Sequence, residues 1–235
     1  MIFVVGSGRC GSCWLGRILD SHPEIRCTIE EPPQFQIAAS LALWPSYMPS
    51  MWSQLLEAYE RELKVQPDLH YADKSHPLLW QWERLVRHYP GCWFLVLRRG
   101  AERTVASMMK HGSIRERFQS TWTSAEVPCQ TLGIGPGKQG EYGRMCLEER
   151  AALRWVAHDV EAQRLLNSYP NSVEVCYERL VKNGSEVLGC VQERLGLAQP
   201  FPDHRPHSRS LGPVLRPFQR EKMQRAVDRF EPWWF

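Results

Sequence analysis

The sequence lacks long hydrophobic runs, a strong excess of one charge, internal repeats and low-complexity tracts. A transmembrane helix needs about 20 consecutive apolar residues, and no run in the 235 residues approaches that length. The net charge of +3 permits an anionic ligand but argues against a general nucleic-acid-binding protein. We therefore expect a soluble globular protein with no membrane span and no nucleic-acid partner, organised as one domain over residues 1–235.

The cysteines lack the paired spacing of a zinc site, although the chain has 8 of them. Cys10 and Cys13 form a C-x-x-C, but this pair lies inside a glycine-rich turn and has no second pair to match it. The first predicted strand begins at Ile2, which leaves no room for a signal peptide. We therefore expect reduced thiols, a cytoplasmic location and no bound metal.

Short apolar segments alternate with helical patterns along the chain. Residues 2–5 and 92–97 are predicted to be buried strands; the second, "CWFLVL", is uninterrupted, as in strands covered on both faces. Shorter strands are predicted at 26–29, 70–73 and 172–176. The alternation of strands with helices predicts an α/β fold in which helices flank a parallel sheet.

Regions rich in proline or glycine separate some of these units. Residues 32–50 contain several prolines and residues 112–145 several glycines, so both are expected to lack regular structure. The second region is long enough to be a functional loop. Apolar periodicity and helix-end signals predict helices at residues 12–20, 51–64, 77–88, 101–110, 145–168, 186–195 and 219–230.

The turn after the first strand, "GSGRCGSC" at residues 6–13, lacks the lysine of nucleotide-hydrolysing loops. Those loops follow the pattern G-x-x-x-x-G-K-[ST], in which the lysine contacts phosphate and the hydroxyl binds Mg²⁺. Here Ser12 stands in the lysine position and Cys13 in the hydroxyl position, and a thiol is a poor ligand for a hard cation. A strand, glycine turn and helix still present backbone N–H groups to an anion. The pattern predicts an anion site that works without metal.

Arginines supply the positive charge that lysine and metal do not. Arg9 lies inside the glycine turn, while Arg98 and Arg99 follow the second buried strand, where a nucleotide hydrolase would carry a metal-binding aspartate. Ligands of open α/β sheets bind at this end of the strands. We therefore predict a nucleotide held by fixed cations, with Arg99 as a contact and the role of Arg98 left open.

Residues 9–33, "RCGSCWLGRILDSHPEIRCTIEEPP", resemble the 5′-phosphosulfate-binding loop and following segment of sulfotransferases, most closely those of the carbohydrate and tyrosylprotein enzymes. The resemblance implies a P-loop-NTPase-like three-layer sandwich with a parallel β-sheet flanked by helices. It also implies that the donor nucleotide is contacted by Arg9, Cys10, Gly11, Ser12, Cys13 and Trp14.

A second segment, "RGAERTVAS" at residues 99–107, is similar to the sulfotransferase motif R-D-P-R-x-x-x-x-S. The resemblance implies that Arg99 and Ser107 hold a 3′-phosphate, although "GAE" replaces "DPR" in this chain. Three residues of the C-terminal tail could close over the same phosphate, namely Ser208, Arg209 and Ser210.

Two further segments resemble sulfotransferase motifs. "YERL" at residues 177–180 is similar to Y-E-x-L, which implies that Tyr177 approaches the adenosine end of the nucleotide. "DKSH" at residues 73–76 is similar to [DEN]-K-x-P, which implies that Lys74 faces the transferred group, with His76 in the proline position.

The ordered set of motifs implies an enzyme that transfers a sulfuryl group from 3′-phosphoadenosine 5′-phosphosulfate (PAPS) to an acceptor and releases adenosine 3′,5′-bisphosphate (PAP). The acceptor would present a hydroxyl or amine on a small molecule, sugar or peptide. In-line transfer needs positioning and stabilisation of charge on the sulfuryl oxygens, which Arg9 and Lys74 could supply. Two alternatives remain open, a P-loop nucleotide kinase or other phosphotransferase and a non-catalytic nucleotide-binding module.

The acceptor must also lose a proton, so a base should face the sulfur. Glu30 and Glu31 follow a short predicted strand that would deliver them to the glycine turn. Counting from Arg9 without a gap favours Glu30, whereas the local "E-P" pattern resembles the family's base and favours Glu31, which we prefer as the general base. The weaker candidates are His22, His76 and His111.

Overall fold

Parallel strands form a sheet whose carboxyl ends all lie at one edge. The structure, a computed structural model, describes residues 1–202 and 214–234. Its sheet has the strand order β2-β3-β1-β4-β5. The strands are β1 (Ile2–Gly6), β2 (Ile25–Ile29), β3 (His70–Lys74), β4 (Trp93–Arg98) and β5 (Ser172–Cys176). The tail residues Ser208, Arg209 and Ser210 lie outside the described residues.

Helices connect the strands and cover both faces of the sheet. Those before β4 are α1 (Ser12–Asp20), α2 (Gln34–Leu43), α3 (Met48–Leu63) and α4 (Trp82–His88). Those after it are α5 (Ala101–Lys110), α6 (Gly112–Gln119), α7 (Gln139–Arg144), α8 (Leu147–Ser168), α9 (Tyr177–Lys182), α10 (Gly184–Leu195) and α11 (Pro217–Asp228). Shorter 3₁₀ turns lie at Pro45–Tyr47, His76–Gln81, Thr121–Ser124 and Gln130–Leu132.

Alternate side chains of β1 enter two different hydrophobic cores. Ile2 and Val4 pack with α1, α9 and α10 on one face. Phe3 and Val5 pack with α2, α3, α4 and the C-terminal half of α8 on the other. Because both faces are covered, the strands read as apolar runs, and the predicted three-layer α/β sandwich is confirmed.

The expectation that residues 32–50 and 112–145 lack regular structure was wrong. Helix α2 forms because its prolines lie outside it: Pro33 is the N-cap and Pro45 follows the C-cap. Its apolar side chains then bury against the sheet. In the glycine-rich region, the buried Arg150 donates to the carbonyls of Phe118, Tyr142 and Gly143 and so holds α6 and α7 against α8.

None of the described helices is both long and apolar enough to cross a membrane. All 8 cysteines are unpaired thiols. Within residues 1–202 and 214–234, no group of three or more potential metal-ligating side chains is clustered.

Candidate active site

Most of the predicted site residues that the structure describes lie at the carboxyl edge of the sheet, around the central strand β1. After β1 the chain moves outward to β2 and returns through β3, whereas β4 and β5 lie on the other side of β1. The loop after β1 therefore lies where the connections diverge, which is the usual ligand crevice of an open α/β sheet. Glu30 and Lys74 lie on one side of this loop, at the ends of β2 and β3. Arg99 and Tyr177 lie on its other side, at the ends of β4 and β5.

The glycine turn wraps around the N-terminus of α1. Gly8, Arg9 and Gly11 have φ values of 70°, 57° and 101°, a left-handed backbone that is unusual for the non-glycine Arg9. Gly11 is the N-cap of α1, so the backbone N–H groups of Ser12 and Cys13 begin the helix and carry its positive end. The first turn has no acidic side chain to compete with an anion. The arrangement suits a phosphate or sulfonate.

Lys74 links this turn to a carboxylate. It ends β3 and is only 1% exposed. Its Nζ donates to Cys13 Sγ at 3.3 Å and to Glu30 Oε1. A buried ammonium therefore lies between the glycine turn and a carboxylate. Such a cation can serve a transferred anionic group on one side and a base on the other.

Glu30 is held by two donors on one oxygen. Its Oε1 accepts from Lys74 Nζ and from His76 Nδ1, the latter at 3.1 Å. Burial raises the pKa of Glu30, but the hydrogen bond from His76 and the charge of Lys74 outweigh it and lower the pKa to about 2. Its φ of 55° places it among the strained non-glycine positions that cluster at functional sites.

Glu31 lies next to Glu30 but faces away from this cluster. Glu31 is exposed, and its backbone carbonyl accepts from Phe35 N at 3.0 Å as the chain turns into α2. Among the described residues its carboxylate makes no hydrogen bond or ion pair. The structure therefore brings Glu30, and not Glu31, into contact with Lys74.

On the other flank, Arg99 and Tyr177 close against the turn. Arg99 is 8% exposed, and its Nη1 donates to the Arg9 carbonyl at 3.1 Å. Its guanidinium lies 4.3 Å from the centroid of the Tyr177 ring, and its buried Nε has no hydrogen-bond partner within residues 1–202 and 214–234. The Tyr177 ring meets Trp14 edge-on at 6.0 Å between centroids. This flank offers aromatic faces and an unsatisfied cationic donor beside the turn.

Comparisons with known proteins agree with this arrangement at the level of the fold. No protein-family model and no curated protein matches the sequence. A sulfotransferase from Alicyclobacillus acidocaldarius superimposes with a TM-score of 0.62 at 20% identity, over 97% of this chain and 90% of that one. The chain has the sulfotransferase fold.

Two other solved structures are similar. The sulfotransferase domain from the curacin biosynthetic pathway gives a TM-score of 0.56 at 16% identity, over 90% of this chain and 76% of that one. A sulfotransferase from Mycobacterium avium gives 0.52 at 13% identity, over 97% and 67%. Each of these identities is low enough that the likeness concerns the backbone arrangement.

Within this sulfotransferase fold, other predicted residues have varied surroundings. Arg98 forms ion pairs within the protein: its guanidinium donates to both oxygens of Asp159 at 2.9 Å and to Glu174 at 3.0 Å. Ser107 is half-buried on α5, and Cys10 is fully buried among the core residues beneath the turn. Arg98 is therefore occupied by carboxylates, whereas Arg99 is not.

The three histidine candidates separate clearly in space. His22 is buried beside the Gln199 carbonyl at 2.8 Å, away from the carboxyl edge. His111 ends α5, where burial and then the charge of Arg9 lower its pKa. His76 alone among them hydrogen-bonds Glu30.

Sequence reasoning did not find Arg154, which lies in the middle of α8 and contacts His76. The available signal was the spacing of Arg150, Arg154 and His158 along one face of a helix. That face would ordinarily be solvated, and only the tertiary structure shows that it is buried.

Proposed function

We propose that this protein transfers a sulfuryl group from PAPS to a hydroxyl or amine acceptor and releases PAP. The observation that carries the proposal is the buried Lys74, which joins the anion-binding turn at Cys13 to the carboxylate of Glu30. A donor, a charge-stabilising cation and a base can then meet at one point. No arrangement of that kind is needed for simple nucleotide storage.

The residues around the turn fit the two ends of PAPS. The N–H groups at the start of α1, together with Arg9, would hold the 5′-phosphosulfate. Arg99, whose buried Nε lacks a partner in the described part of the chain, would bind the 3′-phosphate with Ser107. Tyr177 and Trp14 would contact the adenosine, and the cations are fixed side chains, so no divalent metal is required.

In the proposed step, the acceptor oxygen or nitrogen attacks sulfur and forms the new bond in line with the departing group. The bond between sulfur and the 5′-phosphate oxygen breaks, and PAP leaves with the electron pair. Lys74 stabilises the charge that develops on the sulfuryl and bridging oxygens. The proton of the acceptor passes to Glu30.

Glu30 is our proposed base because it touches Lys74 and Glu31 does not. Its Oε1 is occupied by two donors, while Oε2 has no partner among the described residues and is left for the acceptor. When Lys74 turns to the sulfonate, Glu30 loses part of the charge that depresses its pKa and becomes a stronger base. On the basis of the Lys74 contact we therefore prefer Glu30 to Glu31, whereas the sequence pattern favours Glu31.

The alternatives are less well supported by the site. A kinase of the P-loop type needs a lysine and a magnesium-binding hydroxyl where this chain has Ser12 and Cys13. A pure binding module gives no reason for a buried lysine shared by the turn and Glu30. The single-domain organisation, the cytoplasmic location and the choice among small-molecule, sugar and peptide acceptors stay predictions.

The direct test is transfer from PAPS to a panel of a phenol, a monosaccharide, an amine and a tyrosine-containing peptide. Sulfated product is identified by mass spectrometry, and PAP release is measured in parallel. We expect product with at least one acceptor class, and a large loss in Lys74→Met. The control Lys138→Met should retain full activity, because Lys138 pairs on the surface with Glu141. Binding of ATP with Mg²⁺ in preference to PAP would contradict the proposal.

A further inference from the structure

Arg154 is a buried cation that contacts no carboxylate among the described residues. It lies on α8 and is 3% exposed. Its Nη1 donates to the carbonyl and hydroxyl of Thr131 at 2.8 and 3.1 Å, and its Nη2 lies 3.4 Å from His76 Nε2. Among the described residues its Nε has no partner. Burial, and then the charge of Arg117, lower its pKa to about 10. A guanidinium buried in this way is costly, so its position calls for a reason.

The contact between Arg154 and the imidazole of His76 offers an explanation for the buried guanidinium. A guanidinium can only donate hydrogen bonds, so His76 Nε2 must be the acceptor toward Arg154. The proton of the neutral ring is therefore on Nδ1, which donates to Glu30 Oε1 at 3.1 Å. Arg154, His76 and Glu30 form a continuous chain in which each donor has a defined direction.

The surroundings leave the ring little freedom. A side chain at Gly8 would come within 3.2 Å of the His76 ring, and the Phe35 ring lies 5.7 Å away between centroids. Burial lowers the pKa of His76 to about 3; the hydrogen bond to Glu30 opposes that shift, while the charges of Lys74 and Arg154 add to it. Burial and the two neighbouring cations therefore favour the neutral imidazole.

We propose that Arg154 is a positioning residue, which occupies Nε2 of His76 and thereby keeps the ring a neutral donor that orients Glu30 through Oε1. This inference rests on the proposed function, in which Glu30 Oε2 receives the proton of the acceptor. It also explains why His76, although close to the turn, does not itself act as the base: its one acceptor nitrogen already faces Arg154.

The charges around His76 give the sign of the expected change. The titratable groups that face it are Glu30 beyond β2, Lys74 on β3, and Arg154 with the neutral His158 on α8. If Arg154 is removed, Nε2 is uncapped and one repelling charge is lost, while the Glu30 carboxylate remains. The pKa of His76 then rises, and a protonated ring holds Glu30 more tightly and weakens it as a base.

The experiment follows His76 by NMR in protein with ¹⁵N-labelled histidine, between pH 5 and pH 8. In the wild-type protein we expect a proton on Nδ1 and no titration. In Arg154→Met we expect the pKa of His76 to rise, so that its signals shift toward the acid end of this range. Turnover of PAPS with a competent acceptor should then fall toward pH 5 relative to pH 8.

Arg150→Met is the matched control. Arg150 lies one turn earlier on α8, is 8% exposed and donates to three backbone carbonyls, but does not contact His76. It should cost stability without moving the His76 titration. A wild-type His76 with its proton on Nε2, or one that titrates between pH 5 and 8, would overturn the proposal even if Arg154→Met failed to fold. Equal titration shifts in both variants would also overturn it.

The NMR readout needs no catalysis, so it separates this inference from the proposed function. Absence of sulfuryl transfer, with the Nδ1 proton in place, would reject the proposed function and leave the role of Arg154 at the imidazole intact. Sulfuryl transfer by a protein whose His76 carries its proton on Nε2 would reject the role of Arg154 and leave the proposed function intact.

Discussion

Glu30 and Glu31 are neighbours in the chain but have opposite surroundings. Glu30 turns its carboxylate toward Lys74 and His76, whereas Glu31 is exposed. The left-handed backbone of Glu30, with φ of 55°, makes this turn possible at the end of β2. The pair therefore provides a variant and a control that differ by one position.

We predict that Glu30→Gln lowers turnover about 10²–10⁴-fold, because the amide keeps the shape of the side chain and loses its basicity. Affinity for PAP should change little, since a base acts on the acceptor. Glu31→Gln should remain close to wild type. Turnover is measured with a competent acceptor and affinity by calorimetry. Loss of activity in Glu31→Gln alone would restore the choice made from the sequence.

Arg98 and Arg99 offer a second matched pair. We predict that Arg99→Ala weakens PAP binding by about 1.5–3 kcal/mol and AMP binding much less, because a charge-assisted contact to the 3′-phosphate is lost. Arg98→Ala should reduce stability through Asp159 without changing the PAP-to-AMP preference. Calorimetry with both nucleotides checks this. An equal loss for PAP and AMP in Arg99→Ala would remove Arg99 from the 3′-phosphate site.

At the scale of elements, the β1–α1 unit depends on close approach of the backbone to Tyr177. A Cβ atom on Gly11 would lie 2.5 Å from two carbons of the Tyr177 ring, and φ at this position is 101°. Any larger residue would therefore strain the turn and displace the ring. This explains a glycine that the sequence marks only as part of a glycine-rich turn.

We predict that Gly11→Ala lowers the free energy of unfolding by about 1–3 kcal/mol and weakens PAP binding at least tenfold. Gly189→Ala in α10 is the control, since a Cβ atom there meets nothing within 4 Å. It should stabilise the helix by about 0.5–1 kcal/mol and leave binding unchanged. Thermal unfolding and calorimetry measure both effects. Unchanged PAP binding in Gly11→Ala would show that the turn does not contact the nucleotide.

At the scale of the whole molecule, the strand order brings residues from distant parts of the chain to one edge. The order β2-β3-β1-β4-β5 places the loop after β1 between the proposed acceptor side at β2 and β3 and the nucleotide side at β4 and β5. A ligand that spans this crevice should stabilise the sheet as a unit, because it contacts both halves.

We predict that PAP at about 100 times its Kd raises stability by about 2.7 kcal/mol, which corresponds to roughly 5–10 °C in Tm for a domain of this size. The shift should be the same with and without EDTA if, as proposed, arginines and Lys74 take the place of a metal. ATP with and without Mg²⁺ serves as the comparison. Loss of the PAP shift in EDTA would refute the metal-free site.

The sequence by itself determined the features that depend on consecutive residues. Four features are visible without a structure: the apolar runs of β1 and β4, the glycine turn, the absence of its lysine, and the arginines after β4. Each is visible because a buried strand and a tight turn impose a pattern on consecutive residues. The prolines near α2 misled the prediction. They flank the helix without interrupting it, and prolines at such a spacing also occur in loops.

Only the tertiary structure shows which neighbour in each pair contacts Lys74 or the glycine turn. The Lys74–Glu30 contact joins residues 44 apart and the Arg154–His76 contact residues 78 apart, so neither has a local pattern. A shift of one position separates Glu30 from Glu31 and Arg98 from Arg99, and composition cannot distinguish them. Packing does so, because residues from other strands and from α8 decide what surrounds each side chain: Asp159 and Glu174 take up Arg98, whereas Lys74 and His76 meet Glu30.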